Sequence, residues 1–363
     1  MLQHKDHFHG SDLEKIEEVY GIKKENIIPF GGNVNPLGIS PLLRQSMAEH
    51  LDSVCEYPDR NYKDLRDALS IYLNLPAKDI IPGNGATELI GLTFQLLCPK
   101  NALLLAPTYS EYTREITLSG GSYKEYFLKE KNNFHLDLED LKSHLTKDVD
   151  LFAFCNPNNP TSSALDTDEI REILEHCRRQ GIFVMIDETY VEFAPDIQKI
   201  SAVSLVPDYE NLMILRGTSK FFAVPGLRLG YGVCSNSRFL EAIQRIKNPW
   251  TINTLAAVSG GAMFQDEAYI QRTRSLILKE RKRCLSILSQ CPQYKTYPAF
   301  ANFILVRLLD GRTSFELFEK CIRKNMMIRD CSSFEGLEGE YIRFCIQTKE
   351  ENDKLLEVLT ENK

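Results

Sequence analysis

None of the ten cysteines stands in a Cys-x-x-Cys pair, so neither a zinc ribbon nor a thioredoxin-type redox motif is encoded. No stretch approaches the roughly 18 consecutive apolar residues that a membrane-spanning helix needs. No basic block is present either. Lys and Arg total 43 against 50 acids, a net charge of −7. That balance is wrong for a nucleic-acid binder, which needs concentrated positive charge. Any anion this chain binds must be met by a few placed groups, not by a general field. The opening residues MLQHKDHFHGSDLEKIEEVYG lack the apolar centre of a secretory leader. Scattered free thiols suit a reducing compartment, so a cytoplasmic location is expected. No repeat, low-complexity tract or metal-ligand spacing occurs, and no metal is expected.

What is present is a soluble, globular composition: 363 residues, 43% hydrophobic and 26% charged. The length implies one large domain and a smaller one. Residues 11–20 read as a short helix opened by Ser11 or Asp12, and 41–54 and 62–74 have helical spacing. Then NALLLAP (101–107), DLFAFCNP (150–157), GIFVMIDE (181–188) and NLMILRG (211–217) form short, continuously apolar runs. Such runs are strands buried on both faces, as in a parallel sheet covered by helices. The intervening 166–180 is amphipathic, with Ile170, Ile173, Leu174 and Cys177 on one face. After Trp250 a long helical stretch (254–290) leads to YPAFANFILVRL, a helix at 313–324, then MMIRD and EYIRFCI. The expected fold is α/β. A large domain with a mostly parallel sheet (41–250) carries a smaller α/β C-terminal domain (251–363), and an N-terminal segment (1–40) is expected to pack with the latter and with the ligand site.

In open parallel sheets, ligands bind beyond the carboxyl ends of the strands. Here those ends read APTY, NPNNPTS, DETY and RGTSK, rich in polar and ionisable groups. Lys220 follows a buried strand and precedes FFAVPG. It is either a desolvated, nucleophilic amine or a snorkelling lysine. Asp187 closes GIFVMID, and a buried carboxylate needs a partner: a cationic ring nitrogen, a helix N-terminus or a structural arginine. Tyr190 either hydrogen-bonds a ligand oxygen or packs in the core. Asn156 and Asn159 precede prolines and are held extended, as ligand donors or as turn caps. Gly83-Asn84-Gly85-Ala86-Thr87-Glu88 precedes an apolar helix and reads as an anion cradle or an ordinary turn. Thr218, Ser219 and Arg228 add groups suited to phosphate.

Together, NVNPLG (33–38), YPD (57–59), GNGATE (83–88), APTYSEY (106–112), NPNNPT (156–161), DETYVEF (187–193), TSKFFAVPGLRLGY (218–231) and YIRFCI (341–346) resemble the fold type I pyridoxal-5′-phosphate (PLP) enzymes of the class I/II aminotransferase family. Within it the resemblance is nearest to L-threonine-O-3-phosphate decarboxylases and next to histidinol-phosphate aminotransferases. His9-Gly10, NVNPLG and Pro249-Trp250-Thr251-Ile252-Asn253 favour the former.

The resemblance implies that Lys220 carries PLP as an imine and that Asp187 pairs with the pyridinium nitrogen. Asn159 and Tyr190 would bond the ring oxygen and Tyr109 would stack on the ring. Gly85, Ala86, Thr87, Ser219 and Arg228 would hold the cofactor phosphate. Tyr57 would reach the phosphate of another subunit in a homodimer with shared sites. Arg343 would bind the substrate carboxylate or phosphate and Arg329 the substrate phosphate, while His9 and Asn33 would shape the substrate pocket. Departures are Ser11, Ala86, Ser162 and Gly217, the last where a phosphate-binding hydroxyl is usual.

The implied reaction is decarboxylation of O-phosphothreonine or O-phosphoserine, supplying the linker of the cobalamin nucleotide loop. The alternative is transamination, for example of histidinol phosphate.

Overall fold

The computed structural model describes residue 10 and residues 12–361. His9 and Ser11 therefore lie outside the described residues.

Eleven strands form two sheets among the described residues. The larger contains β1 (Ile80–Gly83), β2 (Ala102–Ala106), β3 (Tyr123–Phe127), β4 (Leu151–Cys155), β5 (Phe183–Asp187), β6 (Leu212–Gly217) and β7 (Gly230–Val233). Their order is β1-β7-β6-β5-β4-β2-β3, and only β7 runs against its neighbours. Strands β2, β4 and β6 are buried along their whole length. Helices on both faces keep these strands apolar, except for Arg216 near the end of β6, which is paired with buried Glu188 (2.8 Å). The helix Thr167–Gln180 buries Ile170, Ile173, Leu174 and Cys177, and a reciprocal capping box between Asp166 and Glu169 starts it.

Three strands are absent from the apolar runs seen in the sequence, each for a local reason. Strand β1 is only four residues, and β3 is a polar edge strand with Tyr123 and Lys124 exposed. Strand β7 is Gly-Tyr-Gly-Val because its backbone passes a helix start: a Cβ on Gly230 would lie 2.4 Å from the Ala86 nitrogen.

The second sheet is antiparallel, β10 (Arg329–Asp330), β11 (Tyr341–Cys345), β9 (Phe303–Leu308) and β8 (Tyr294–Thr296), in that order. The expected continuous helix over 254–290 is broken. Helix Thr254–Ser259 gives way to a tighter turn at Gly260-Gly261, and Asp266 caps a new helix, Glu267–Leu288. Glycine weakens helix interiors and a capping aspartate restarts them.

The N-terminal segment joins the small sheet: the Cys345 nitrogen donates to the Phe30 carbonyl (2.8 Å), and the Met327 nitrogen to Ile28 (3.0 Å). Glu130, just beyond β3, bonds Lys295 and Arg307 of the small sheet and the Tyr297 hydroxyl beside it, and against burial these two cations and the phenol hold its carboxyl down at about 2. The two sheets are thus tied together beside the strand ends. No helix of the described residues is long and apolar enough to cross a membrane.

Candidate active site

The carboxyl ends of β2, β4, β5 and β6 open on one cavity of about 400 Å³. Tyr109, Asn159, Asp187, Tyr190, Ser219, Lys220, Arg228, Ala86 and Thr87 from the large sheet line it, and Asn33, Arg329 and Arg343 complete it. Residues far apart in sequence meet there because parallel strands all deliver their C-terminal loops to one edge.

Lys220 follows β6 with its Nζ donating to the Gly32 carbonyl (2.7 Å). Burial, then the nearby Arg343 and Arg228, bring its amine down to about 8. It is therefore a largely desolvated amine and not a snorkelling surface charge. Asp187 ends β5, opposite Cys155 of β4. One carboxylate oxygen accepts from the Tyr112 hydroxyl (2.8 Å) and the other from the Thr189 nitrogen (2.9 Å). Burial still raises its pKa, against those hydrogen bonds. Neutral donors leave an anion there undercompensated, and a cationic ring nitrogen suits it. Tyr112 was not among the expected site residues. It sits three residues after Tyr109 in APTYSEY, one helical turn on, and its ring meets that of Tyr109 edge-on at 5.8 Å.

At the other end, the helix Gly85–Leu97 points its N-terminus at the cavity. Gly85 adopts φ +75, and a Cβ there would fall 2.4 Å from the Arg228 Nη2. The guanidinium, itself donating to the Pro225 carbonyl (3.2 Å), thus lies directly over the helix start. Backbone N–H groups, helix dipole and arginine together make a phosphate cradle. Gly85→Ala should cost ~1–2 kcal/mol at a left-handed position and push Arg228 aside. PLP affinity should fall by about tenfold or more, equivalent to a charge-assisted bond. Thermal melting and a cofactor titration would check both effects.

Neighbouring candidates divide. Asn156 is a turn cap: its Nδ2 donates to the Leu165 and Ile200 carbonyls and its Oδ1 accepts from the Leu165 nitrogen. Asn159 faces the cavity, with its Oδ1 bonded to Arg343 Nη1. The Thr218 hydroxyl is spent on the Leu229 carbonyl (2.8 Å), which corrects its expected role at phosphate; Ser219 lines the cavity instead. Ser162 occupies a left-handed position (φ 60), and its hydroxyl accepts from the Phe300 and Ala301 nitrogens. Tyr57 does not reach the cavity of its own chain. It is 80% exposed and packs against Trp250 at 4.8 Å.

Arg329 and Arg343 are directly opposed across β10 and β11, and both line the cavity. Arg343 donates from Nη2 to the Gly31 carbonyl (3.0 Å), lies over the Phe303 ring and leaves its buried Nε without a partner. Arg329 donates to Ser333 (2.8 Å), and burial, with Arg343 adding to it, lowers its pKa. The carboxylates of Asp330 and Asp12 act in the opposite direction.

The model of the family described as aminotransferase class I and II matches residues 25–359. The chain belongs to the class I and II aminotransferase family. It is 32% identical to a threonine-phosphate decarboxylase of Salmonella typhimurium over 97% of this chain and 95% of that protein. It is 34% identical to a histidinol-phosphate aminotransferase of Methanothermobacter thermautotrophicus over 97% and 93%. The crystal structure of the histidinol-phosphate aminotransferase from Clostridium acetobutylicum superposes with a TM-score of 0.85 at 32% identity, covering 91% of this chain and 97% of that one. The family is PLP-dependent, and PLP is the cofactor of this chain. The residues present fit it: a phosphate cradle at Gly85, a buried carboxylate at Asp187 and a desolvated amine at Lys220.

Proposed function

We propose that this family member removes the carboxylate of a phosphorylated amino acid, O-phosphothreonine or O-phosphoserine, as CO₂. The observation that carries the reading is the registered pair Arg329 and Arg343 beside Lys220. The helix start at Gly85 and Arg228 serve the cofactor's phosphate, so the arginine pair is a second anion position. A substrate with both a phosphate and a carboxylate satisfies two guanidiniums.

In this reading Lys220 holds the cofactor and Asp187 keeps its ring nitrogen protonated. Tyr190 and the Nδ2 of Asn159 donate to its ring oxygen, and Tyr109 stacks on it. Gly85, Ala86, Thr87, Ser219 and Arg228 take its phosphate. When bound, PLP supplies an electron sink for whichever Cα bond stands perpendicular to the ring. Arg329 and Arg343 clamp the substrate anions so that the carboxylate takes that position. The Lys220 amine, with its pKa near 8, can carry a proton to Cα. Tyr57 is assigned to the partner's cofactor phosphate in a homodimer, which accounts for its exposure here.

A second reading, transamination of histidinol phosphate, is favoured by Glu125 and Glu335. Both line the cavity, and Glu335 adds to the burial that raises Glu125. Such carboxylates suit an imidazole better than a second anion.

O-phosphothreonine and O-phosphoserine, supplied separately without a keto acid, should release CO₂ and leave an amine of the corresponding lower mass. Turnover that requires a keto acid would overturn decarboxylation in favour of the second reading. Arg329→Ala and Arg343→Ala should each lower kcat/KM by roughly 10²-fold or more, the usual cost of ~2–5 kcal/mol for one partner of a buried charge pair.

A further inference from the structure

The segment Gly31–Asn35 crosses the cavity and touches three of its functional groups. The Gly31 carbonyl accepts from Arg343, the Gly32 carbonyl from Lys220, and the Asn33 Nδ2 donates to the Tyr190 hydroxyl oxygen (3.2 Å). The last contact has a directional consequence. An amide N–H can only donate. The phenol oxygen therefore gives a lone pair to Asn33 and keeps its proton for another acceptor. The Tyr190 ring cannot swing to change this, because it is buried and packed edge-on against Phe303 at 5.0 Å. Only the hydroxyl torsion is free, and one side of that oxygen is occupied.

Asn33 is itself held in place. It is 1% exposed, its carbonyl accepts from Asn302 Nδ2 (2.9 Å), and its Oδ1 is buried with no partner. It adopts φ 56, a left-handed conformation that asparagine tolerates and most residues avoid. An amide fixed on both sides of its Cα, with its donor end on Tyr190, is built to orient that phenol.

We infer that Asn33 is a positioning residue that turns the Tyr190 proton into the cavity, toward the ring oxygen of the cofactor. The inference rests on the reading that Lys220 holds PLP and Tyr190 meets its ring oxygen. It assigns Asn33 a role through Tyr190 rather than through the substrate. A donated proton stabilises the ring oxygen as an anion and lowers the pH at which the loaded protein changes between its two visible-absorbing forms.

The test is a pH titration of the visible band of the PLP-loaded protein. Asn33→Gly removes the amide and keeps the left-handed backbone without strain. It should raise the titration midpoint by about 0.5–1 unit, the equivalent of one neutral hydrogen bond. Tyr190→Phe should raise it at least as far, and adding Asn33→Gly to Tyr190→Phe should then change nothing. Asn33→Asp keeps the side-chain shape without the donor. It covers the case in which the glycine variant does not fold, and should shift the midpoint further in the native background than in the Tyr190→Phe background. An equal shift in both backgrounds overturns the inference, as does an unmoved midpoint in Asn33→Gly. A protein that shows no visible band on loading overturns the Lys220 reading instead, and this one with it.

Discussion

Lys220→Ala should leave the protein folded, unable to retain PLP through borohydride treatment, and slower in turnover by about 10²–10⁴-fold from lost proton transfer alone, with the lost covalent attachment added to that. The fold should survive because the amine makes one hydrogen bond, to the Gly32 carbonyl, and its charged form is disfavoured by burial. Intact mass after reduction separates the two losses: native protein gains the cofactor mass and the variant does not. The pH dependence of capture has a definite sign. Only the unprotonated amine attacks a carbonyl. With the amine at about 8, the rate of PLP capture should rise tenfold per pH unit below that value and level off above it. Stopped-flow absorbance would follow this. A capture rate that kept rising to pH 10 would mean that Lys220 is not the desolvated amine described above.

Asp187→Asn should separate cofactor binding from stability. In the native protein the carboxylate is buried, and desolvation raises its pKa despite bonds from Tyr112 and the Thr189 nitrogen. Without cofactor, the folded state therefore binds this proton more tightly than the unfolded state does. The unfolded chain loses it first as pH rises, so native stability falls as pH climbs from the ordinary carboxylate range through the raised folded value. Asparagine carries no such charge. The cofactor-free variant should melt at the same temperature as the native protein or higher at neutral pH. With PLP the order reverses, because the cationic ring nitrogen has lost its anion. One missing partner of a buried pair costs ~3–5 kcal/mol, which corresponds to a 10²–10⁴-fold loss in cofactor affinity or turnover. Melting curves with and without PLP measure both signs. A variant less stable in both forms would make Asp187 a purely structural residue.

Much of this site is visible in the chain before it folds. Four apolar runs end in APTY, NPNNPTS, DETY and RGTSK, and their short length and unbroken apolarity read as buried parallel strands. From that the common edge follows, and with it the meeting of Tyr109, Asn159, Asp187 and Lys220. The glycine-rich turn before an apolar helix is legible as well, but the sequence leaves it an anion cradle or an ordinary turn, and only the approach of Arg228 to Gly85 separates the two. Strands β1, β3 and β7 escape detection: their pairing comes from neighbours in the sheet and not from their own composition.

Chemical inventory and chain order belong to the sequence. It determined which ionisable groups stand at strand ends, that the charge must be local and that the sheet is mostly parallel. Tertiary structure decided which way each group points. Asn156 and Asn159 are alike in sequence, yet one caps a turn and the other meets Arg343. Thr218 and Ser219 are adjacent, and only Ser219 faces the cavity. Tyr112 gains its role from a hydrogen bond to a residue 75 positions away. Arg329 and Arg343 become a pair only through the register of β10 and β11. The reason is the same in each case. Side-chain type sets what a group can donate, accept or ionise, whereas direction and solvation come from long-range pairing that no local window contains.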